Sequence, residues 1–313
     1  MQIVTENLTK KFDDFLAVDQ VNLQVPQGEL LVLLGPNGAG KTTTVRMLTS
    51  LLRPTSGNAK IAGYDVVTHA AQVRSMVGVL TEHHGLYGRM NAKEYLTFFG
   101  ELYGLSKQES QKRFVPLLEK FGLITQINKR LGEYSKGMRQ KLSLVRALIN
   151  DPPVLLLDEP TSAMDPESSR MVRNAISTLK QNDRTIILCT HNLNEADELA
   201  DQVAIIQNGK IILNDYLETV KSTLLGFPVF EATFAENTSS FSFDFLPGVK
   251  VINQTATQIT FEVENPAVSN PKLIQHLSQD YHLISFQQKA RKLETAYLEA
   301  VNHHGGELNE KLL

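Results

Sequence analysis

The chain has 313 residues, of which 42% are hydrophobic and 21% charged, and its formal net charge at pH 7 is −3. This composition is typical of globular proteins with a sizeable apolar core, and the length suggests about two domains. Because there is no excess of basic residues, no nucleic-acid partner is expected. No apolar run approaches the roughly 20 residues needed to cross a bilayer. No signal peptide is visible either. Because no run is long enough to cross the bilayer, a function at a membrane would need a membrane-spanning partner chain.

Short strands are predicted near the N-terminus, over Ile3–Leu8, Val21–Val25 and Leu30–Leu34. A helix is predicted over Thr43–Leu52. Between the third strand and this helix lies the loop Gly35–Thr43, which fits the pattern G-x-x-x-x-G-K-[ST] completely. A strand, a tight loop and a helix in this order are the context in which that pattern binds nucleotide phosphates.

The chemistry of this loop follows from its residue types. Its glycines allow backbone angles that turn successive N–H groups inward, and the helix that follows adds unpaired N–H groups and a positive dipole. Lys41 is expected to reach the β- and γ-phosphates, and Thr42 is expected to hold Mg²⁺. The predicted nucleotide-binding residues of the loop are Gly35, Pro36, Asn37, Gly38, Ala39, Gly40, Lys41, Thr42 and Thr43.

From about residue 83 to residue 150 the spacing of apolar residues becomes helical. The predicted helices are Asn91–Leu102, Lys107–Phe121 and Lys136–Ile149. Ser135 is a typical N-cap residue for the third helix, and Lys136 and Gly137 follow it. A helix N-terminus with these residues is a second candidate anion site, although an ordinary capped helix is the alternative.

The apolar run Val154–Leu157 predicts a buried strand that ends in two carboxylates, Asp158 and Glu159. Ligands of open α/β sheets bind at such strand ends. Asp158 would therefore orient Mg²⁺, and Glu159 would polarise the attacking water as the general base. A strand that runs into an acidic turn is the alternative for this motif alone. Strands and helices alternate beyond it, which predicts an α/β fold with a mostly parallel sheet.

The regular alternation of predicted strands and helices ends at Gly226-Phe227-Pro228. Predicted strands there are Val229–Phe234, Val249–Asn253, Ile259–Val263 and His282–Gln288, and predicted helices are Asn270–Ser278 and Lys292–Val301. We therefore expect a first domain over residues 1–224 and a small α+β domain over residues 225–313.

Several motifs in order make the chain resemble the ABC ATPases. Tyr134–Gln140 is similar to the signature sequence of that family and lies between the phosphate loop and the acidic strand. Ser162–Asp165 resembles the D-loop, and His191 resembles the switch histidine of the H-loop. Phe12, 29 residues before the loop lysine, occupies the position of an aromatic residue that stacks on adenine. The resemblance covers about residues 1–223.

This resemblance implies a P-loop NTPase fold, with a RecA-like core, an antiparallel β subdomain and a helical subdomain that carries the signature. It also implies a head-to-tail dimer with two ATP molecules between the subunits. In such a dimer Ser135, Lys136 and Gly137 of one subunit complete the site of the other, and Asp165 helps to couple the two sites. His191 would contact the γ-phosphate and hold the attacking water together with Glu159.

The chain departs from the family pattern in the signature, in the Q-loop and at Asp13-Asp14 after Phe12, and two of these residues bear on the site. Lys136 stands where the signature commonly has Gly, and Glu82 stands where the Q-loop usually carries Gln. An ionised Glu cannot donate a hydrogen bond, but its oxygens suit Mg²⁺. Glu82 is therefore predicted to be a further metal ligand.

The single ATPase unit with a C-terminal extension resembles the subfamily that drives ABC-2-type exporters. This implies an ATPase that powers a separate integral membrane permease and is attached through it to the cytoplasmic face of the membrane. The second subunit of the dimer would be another copy of the chain or a homologous ATPase. Two alternatives remain open: a soluble ABC ATPase acting in translation or DNA repair, and a regulatory ATP-binding module.

Overall fold

A computed structural model describes residues 1–81, 85–162, 164–181, 183–238 and 246–289, together with 293–294 and 297. The chain divides into two compact units, Met1–Leu217 and Glu218–Leu313. Each unit is considered by itself below. None of the helices described is long and apolar enough to span a membrane.

An antiparallel sheet forms the N-terminal part of the first unit. Its strands are β1 (Ile3–Phe12), β2 (Phe15–Val25), β4 (Ser56–Ile61) and β5 (Tyr64–Asp65), in the order β2-β1-β4-β5. The first two strands are longer than predicted, because their pairing continues through polar residues as far as the pair Phe12 and Phe15. The turn between them is tight, and Asp13 has a φ of 48°.

The central sheet of the first unit has six strands in the order β10-β9-β3-β8-β7-β6. They are β3 (Leu30–Leu34), β6 (Val77–Leu80), β7 (Val154–Asp158), β8 (Thr185–Thr190), β9 (Gln202–Gln207) and β10 (Lys210–Tyr216). All neighbouring strands are parallel except β10, which returns antiparallel to β9 after a turn at Asn208-Gly209. Every residue of β3, β7 and β8 is buried, as expected for apolar strands covered on both faces.

The helices of the first unit agree closely with the spacing of apolar residues. They are α1 (Lys41–Leu48), α2 (Ala70–Met76), α3 (Ala92–Leu102), α4 (Lys107–Lys120), α5 (Lys136–Leu148), α6 (Pro166–Gln181) and α7 (Leu193–Leu199). Helices α3 and α4 begin with capping boxes formed by Asn91 with Glu94 and by Ser106 with Glu109. Helix α1 starts and ends earlier than predicted, because it continues directly from the phosphate loop and Ser50 leaves the helical region with a φ of 58°.

The second unit contains a second antiparallel sheet, in the order β12-β13-β11-β14. Its elements are α8 (Leu217–Leu225), β11 (Val229–Phe234), β12 (Val249–Gln254), β13 (Gln258–Val263), α9 (Pro266–Asp280) and β14 (Leu283–Gln288). Leu273 and Leu277 of α9 pack against Phe230 and Phe261 of the sheet, so this unit has a core of its own. The helix predicted over Lys292–Val301 lies mostly outside the described residues.

Candidate active site

Three neighbouring strands of the central sheet bring the predicted catalytic segments to one edge. Strand β3 leads into the phosphate loop, β7 ends at Asp158, and β8 ends at Thr190, directly before His191. Since β8 lies between β3 and β7, the three carboxyl ends are adjacent. Backbone hydrogen bonds connect them: the amide of Gly35 donates to the carbonyl of Thr190 at 3.3 Å, and the amide of Glu159 donates to the carbonyl of Cys189 at 2.9 Å.

The phosphate loop has the backbone conformation that its glycines permit. Gly38 and Gly40 have φ values of 82° and 110°. A Cβ atom on Gly40 would lie 2.7 Å from the carbonyl oxygen of Ala17, and one on Gly35 would lie 2.3 Å from that of Ile206. Glycine is therefore required at both ends of the loop, which is held closely against β2 and β9.

Lys41 is nearly buried at the start of α1 and points back over the loop. Its Nζ donates to the carbonyl oxygens of Gly35 at 2.6 Å and Pro36 at 3.1 Å. The same Nζ lies 3.8 Å from Oε1 of Glu159. The ammonium group is thus positioned between the phosphate-binding backbone and the predicted general base.

Thr42 and Asp158 bring hard oxygen ligands together. The hydroxyl of Thr42 donates to Oδ2 of Asp158 at 2.6 Å, and Asp158 is buried. A hydroxyl and a carboxylate oxygen at this spacing fit Mg²⁺, which is usually bound by one or two carboxylates with phosphate oxygens and waters. The third predicted metal ligand, Glu82, lies outside the described residues.

Glu159 and His191 contact each other directly. Nδ1 of His191 lies 2.8 Å from Oε1 of Glu159. Glu159 has a φ of 51°, a strained value for a residue that is not glycine. The buried side chain of Gln140 holds this turn, because its Nε2 donates to the carbonyls of Glu159 at 2.9 Å and Pro160 at 3.1 Å. Gln140 is not among the predicted site residues, although its position at the end of the signature segment Tyr134–Gln140 could have indicated it.

These side chains surround one cleft of roughly 510 Å³. Its lining residues are Phe15, Ala17, Pro36, Asn37, Gly38, Gly40, Lys41, Thr42, Thr43, Asp158, Glu159, Ser162 and His191. Phe12, the aromatic residue expected to stack on adenine, is not among them. It pairs with Phe15 across the β1–β2 turn, and Nζ of Lys10 lies 5.0 Å from the centre of its ring. The aromatic ring that lines the cleft belongs to Phe15, a residue that the sequence analysis missed.

Ser162 is the one residue of the predicted D-loop that lines this cleft among the described residues, whereas Ser135, Lys136, Gly137 and Asp165 are not in its lining. Ser135 caps α5 by accepting a hydrogen bond from the amide of Met138 at 3.2 Å, and Lys136 is exposed beside it. Gly137 follows in the first turn. Asp165 is exposed at the start of α6, where its carboxylate accepts from the amide of Ser168 at 2.8 Å, and this hydrogen bond lowers the pKa of Asp165.

Comparison with known proteins identifies the family. Residues 18–162 match the family model described as ABC transporter. The ABC transporter ATP-binding protein NatA of Bacillus subtilis is 42% identical over 223 residues, which are 70% of this chain and 91% of that protein. The chain belongs to the ABC transporter ATP-binding proteins.

Two further relatives agree with this identification. The Nod factor export ATP-binding protein I of Burkholderia lata is 36% identical over 242 residues, 75% of this chain and 80% of that protein. A dimeric structure of a bacterial ABC transporter cassette superposes with a TM-score of 0.64 at 25% identity, covering 69% of this chain and 98% of that one. The predicted family, the P-loop NTPase fold and the activity as an ABC ATPase that binds ATP are confirmed.

Proposed function

We propose that this ABC ATPase hydrolyses Mg²⁺-ATP in the cleft that the phosphate loop, Asp158, Glu159 and His191 form, and so powers a separate integral membrane permease. The proposed direction of transport is export. The ATPase would be attached through the permease to the cytoplasmic face of the membrane. The observation that carries the proposal is the convergence of the phosphate loop, Asp158, Glu159 and His191 in one cleft. The named export function of one relative supports the direction of transport.

In this proposal the loop amides and Lys41 bind the phosphates of ATP. Phosphate oxygens would replace the carbonyls of Gly35 and Pro36 as acceptors for the ammonium group, which already points along the loop. Thr42 and Asp158 would hold Mg²⁺, which neutralises phosphate charge when bound. Phe15 would cover the nucleobase end of the cleft.

Glu159 would accept the proton of the attacking water, the role of a general base. Its carboxylate is fixed by two neighbours, the imidazole of His191 and the ammonium of Lys41. Once the phosphates engage Lys41, Oε1 of Glu159 is available to the water. His191 would keep the carboxylate oriented and present its other ring nitrogen to the γ-phosphate.

The exposed residues Ser135 and Lys136 and the half-buried Gly137 at the N-terminus of α5 would complete the site of a second subunit, and Asp165 would couple the two sites. A free helix N-terminus favours anions, which fits a γ-phosphate presented by a partner. The dimeric arrangement of the related cassette supports this assembly. ATP then drives closure because it makes contacts that only the closed dimer provides.

Purification of the tagged full chain from gently solubilised membranes of its own host tests the proposal. The expected result is a complex with a polytopic membrane protein that stimulates ATP hydrolysis by the chain. A Lys41→Ala variant should keep this membrane protein but lose the hydrolysis. Recovery of ribosomes or DNA with no membrane protein would instead favour a soluble ABC ATPase of translation or repair. A membrane complex with no hydrolysis by the wild-type chain would favour a regulatory module.

A further inference from the structure

A buried carboxyl group lies next to the catalytic segments and has no role in the site as described so far. Glu195, in the first turn of α7, is 1% exposed. Its Oε1 accepts a hydrogen bond from the hydroxyl of Thr161 at 3.0 Å, and its Oε2 has no hydrogen-bond partner among the described residues. The side chain of Thr190 lies beside this carboxyl and lowers its pKa.

The partners of this carboxyl lie on two different catalytic segments. Thr161 comes two residues after Glu159, in the segment that leads to Asp165. Thr190 directly precedes His191. One side chain on α7 therefore connects the segment of the general base with the segment of the switch histidine, at a point where both leave the sheet.

Packing alone does not explain a carboxyl group at this position. A buried polar group costs stability unless it is fully hydrogen-bonded, and one oxygen of Glu195 is not. Its neighbours Ala196 and Leu199 on the same helix are buried apolar residues. Arg173, the nearby cation, is paired with the exposed Glu198 at 2.7 Å and offsets the burial of Glu195 only in part, since the pKa of Glu195 stays raised.

We propose that Glu195 is a positioning residue for hydrolysis: through its hydrogen bond with Thr161 and its place beside Thr190 it fixes His191 relative to Glu159. This inference rests on the proposed roles of Glu159 and His191. Burial and the charge of Glu159 raise the pKa of Glu195. The proposed role of its Oε1 is to accept the hydrogen bond of Thr161, and the amide oxygen of Gln can accept the same bond, so Gln is the matching replacement.

The test compares steady-state ATP hydrolysis by full-length variants. Glu195→Ala is expected to lower kcat about tenfold with the KM for ATP changed less than twofold, because small displacements of catalytic groups cost large factors in rate. Glu195→Gln is expected to keep kcat within about twofold of wild type. Glu198→Ala, which removes an exposed carboxylate from the same helix, is the matched control and should leave both constants unchanged.

A second variant removes the donor of the same hydrogen bond instead of the acceptor, and it tests the inference even if Glu195→Ala does not fold. Thr161→Val removes the donor with little change in volume and is expected to lower kcat to a similar degree. The double variant Thr161→Val with Glu195→Ala should be no slower than the slower single variant, since contacting residues that act together are not additive.

Three outcomes would overturn the inference. The first is a wild-type kcat in both Glu195→Ala and Thr161→Val. The second is an additive loss of kcat in the double variant. The third is a loss of ATP affinity and thermal stability in Glu195→Ala that parallels the loss of kcat and is also present in Glu195→Gln. Glu159→Gln and His191→Ala measured in the same assay separate this inference from the proposed function. If these two lose activity while the Glu195 and Thr161 variants do not, only the positioning role is wrong.

Discussion

Nδ1 of His191 lies 2.8 Å from Oε1 of Glu159, and the same oxygen lies 3.8 Å from Nζ of Lys41. The catalytic carboxylate is therefore held between the imidazole that follows β8 and the ammonium group at the start of α1. In the proposed function the phosphates of ATP engage Lys41, so ATP binding removes the ammonium group from Glu159 while His191 keeps the carboxylate oriented toward the water.

The pair formed by Thr42 and Asp158 predicts a specific change in metal dependence. Thr42→Val and Asp158→Asn should each raise the Mg²⁺ concentration for half-maximal ATP hydrolysis at least about tenfold, since each removes an oxygen ligand that Mg²⁺ prefers. Titration of hydrolysis with Mg²⁺ at fixed ATP measures the effect. Thr178→Val, the same change at an exposed position in α6 outside the cleft, is the control. An unchanged Mg²⁺ requirement in both variants would exclude these residues as ligands.

The phosphate loop predicts a stability difference between two glycine replacements. Gly40 and Gly63 have φ values of 110° and 83°, but only a Cβ on Gly40 meets another group, the carbonyl oxygen of Ala17 at 2.7 Å. Both Ala variants should lose about 1 kcal/mol of unfolding free energy or more to backbone strain. Gly40→Ala should lose about 1–3 kcal/mol beyond that, by analogy with other overpacked sites. Urea unfolding compares the two, and equal losses would contradict the predicted steric clash.

Replacement of Phe15 and replacement of Phe12 should affect nucleotide binding to different degrees. Phe15 lines the cleft, whereas Phe12 was expected from the family resemblance to stack on adenine. We expect Phe15→Ala to weaken ATP and ADP binding equally, by about two- to tenfold, which corresponds to the roughly 0.5–1.5 kcal/mol of an aromatic contact. Phe12→Ala should have the smaller effect. Equilibrium dialysis with ATP and with ADP measures these affinities. A loss of affinity confined to Phe12→Ala would favour Phe12 as the residue that stacks on adenine.

The raised pKa of Glu195 predicts how stability depends on pH. Burial is its largest cause, the charge of Glu159 adds to it, and the charge of Arg173 opposes it. Between the unfolded-state pKa, about 4.3 for Glu, and the higher folded-state pKa, the folded protein binds the extra proton. Wild-type stability should therefore fall as pH rises through this window. Glu195→Gln has no such proton, so its Tm advantage over wild type should grow from pH 5 to pH 8. A pH-independent difference would mean that Glu195 does not titrate in this way.

The sequence predicts those parts of the site whose residues are neighbours along the chain. The phosphate loop, Asp158 and Glu159 each follow an apolar run that is buried in full, so their positions at strand ends followed from the pattern. The spacing of apolar residues predicts helices α3 and α4 to within one residue at each end, and capping boxes fix their starts in the structure.

The missed residues depend on contacts between separate elements. Phe15 reaches the cleft through the register of β1 against β2, and Gln140 reaches the Glu159 turn from another helix. Glu195 gains its role from Thr161, 34 positions away in sequence. Such contacts have no local spacing pattern, because they arise only when the sheet and its helices are assembled.

Replacement of the proposed general base tests the central claim most directly. Full-length Glu159→Gln should bind ATP with wild-type affinity, hydrolyse it at least about a hundredfold more slowly, as expected for loss of a general base, and accumulate as an ATP-loaded dimer. Phosphate release and sedimentation velocity with ATP measure the two effects. Glu167→Gln, the same change at an exposed position in α6, should behave as wild type in both. Hydrolysis by Glu159→Gln at the wild-type rate would contradict the assignment of Glu159 as the base and, with it, the proposed use of this cleft.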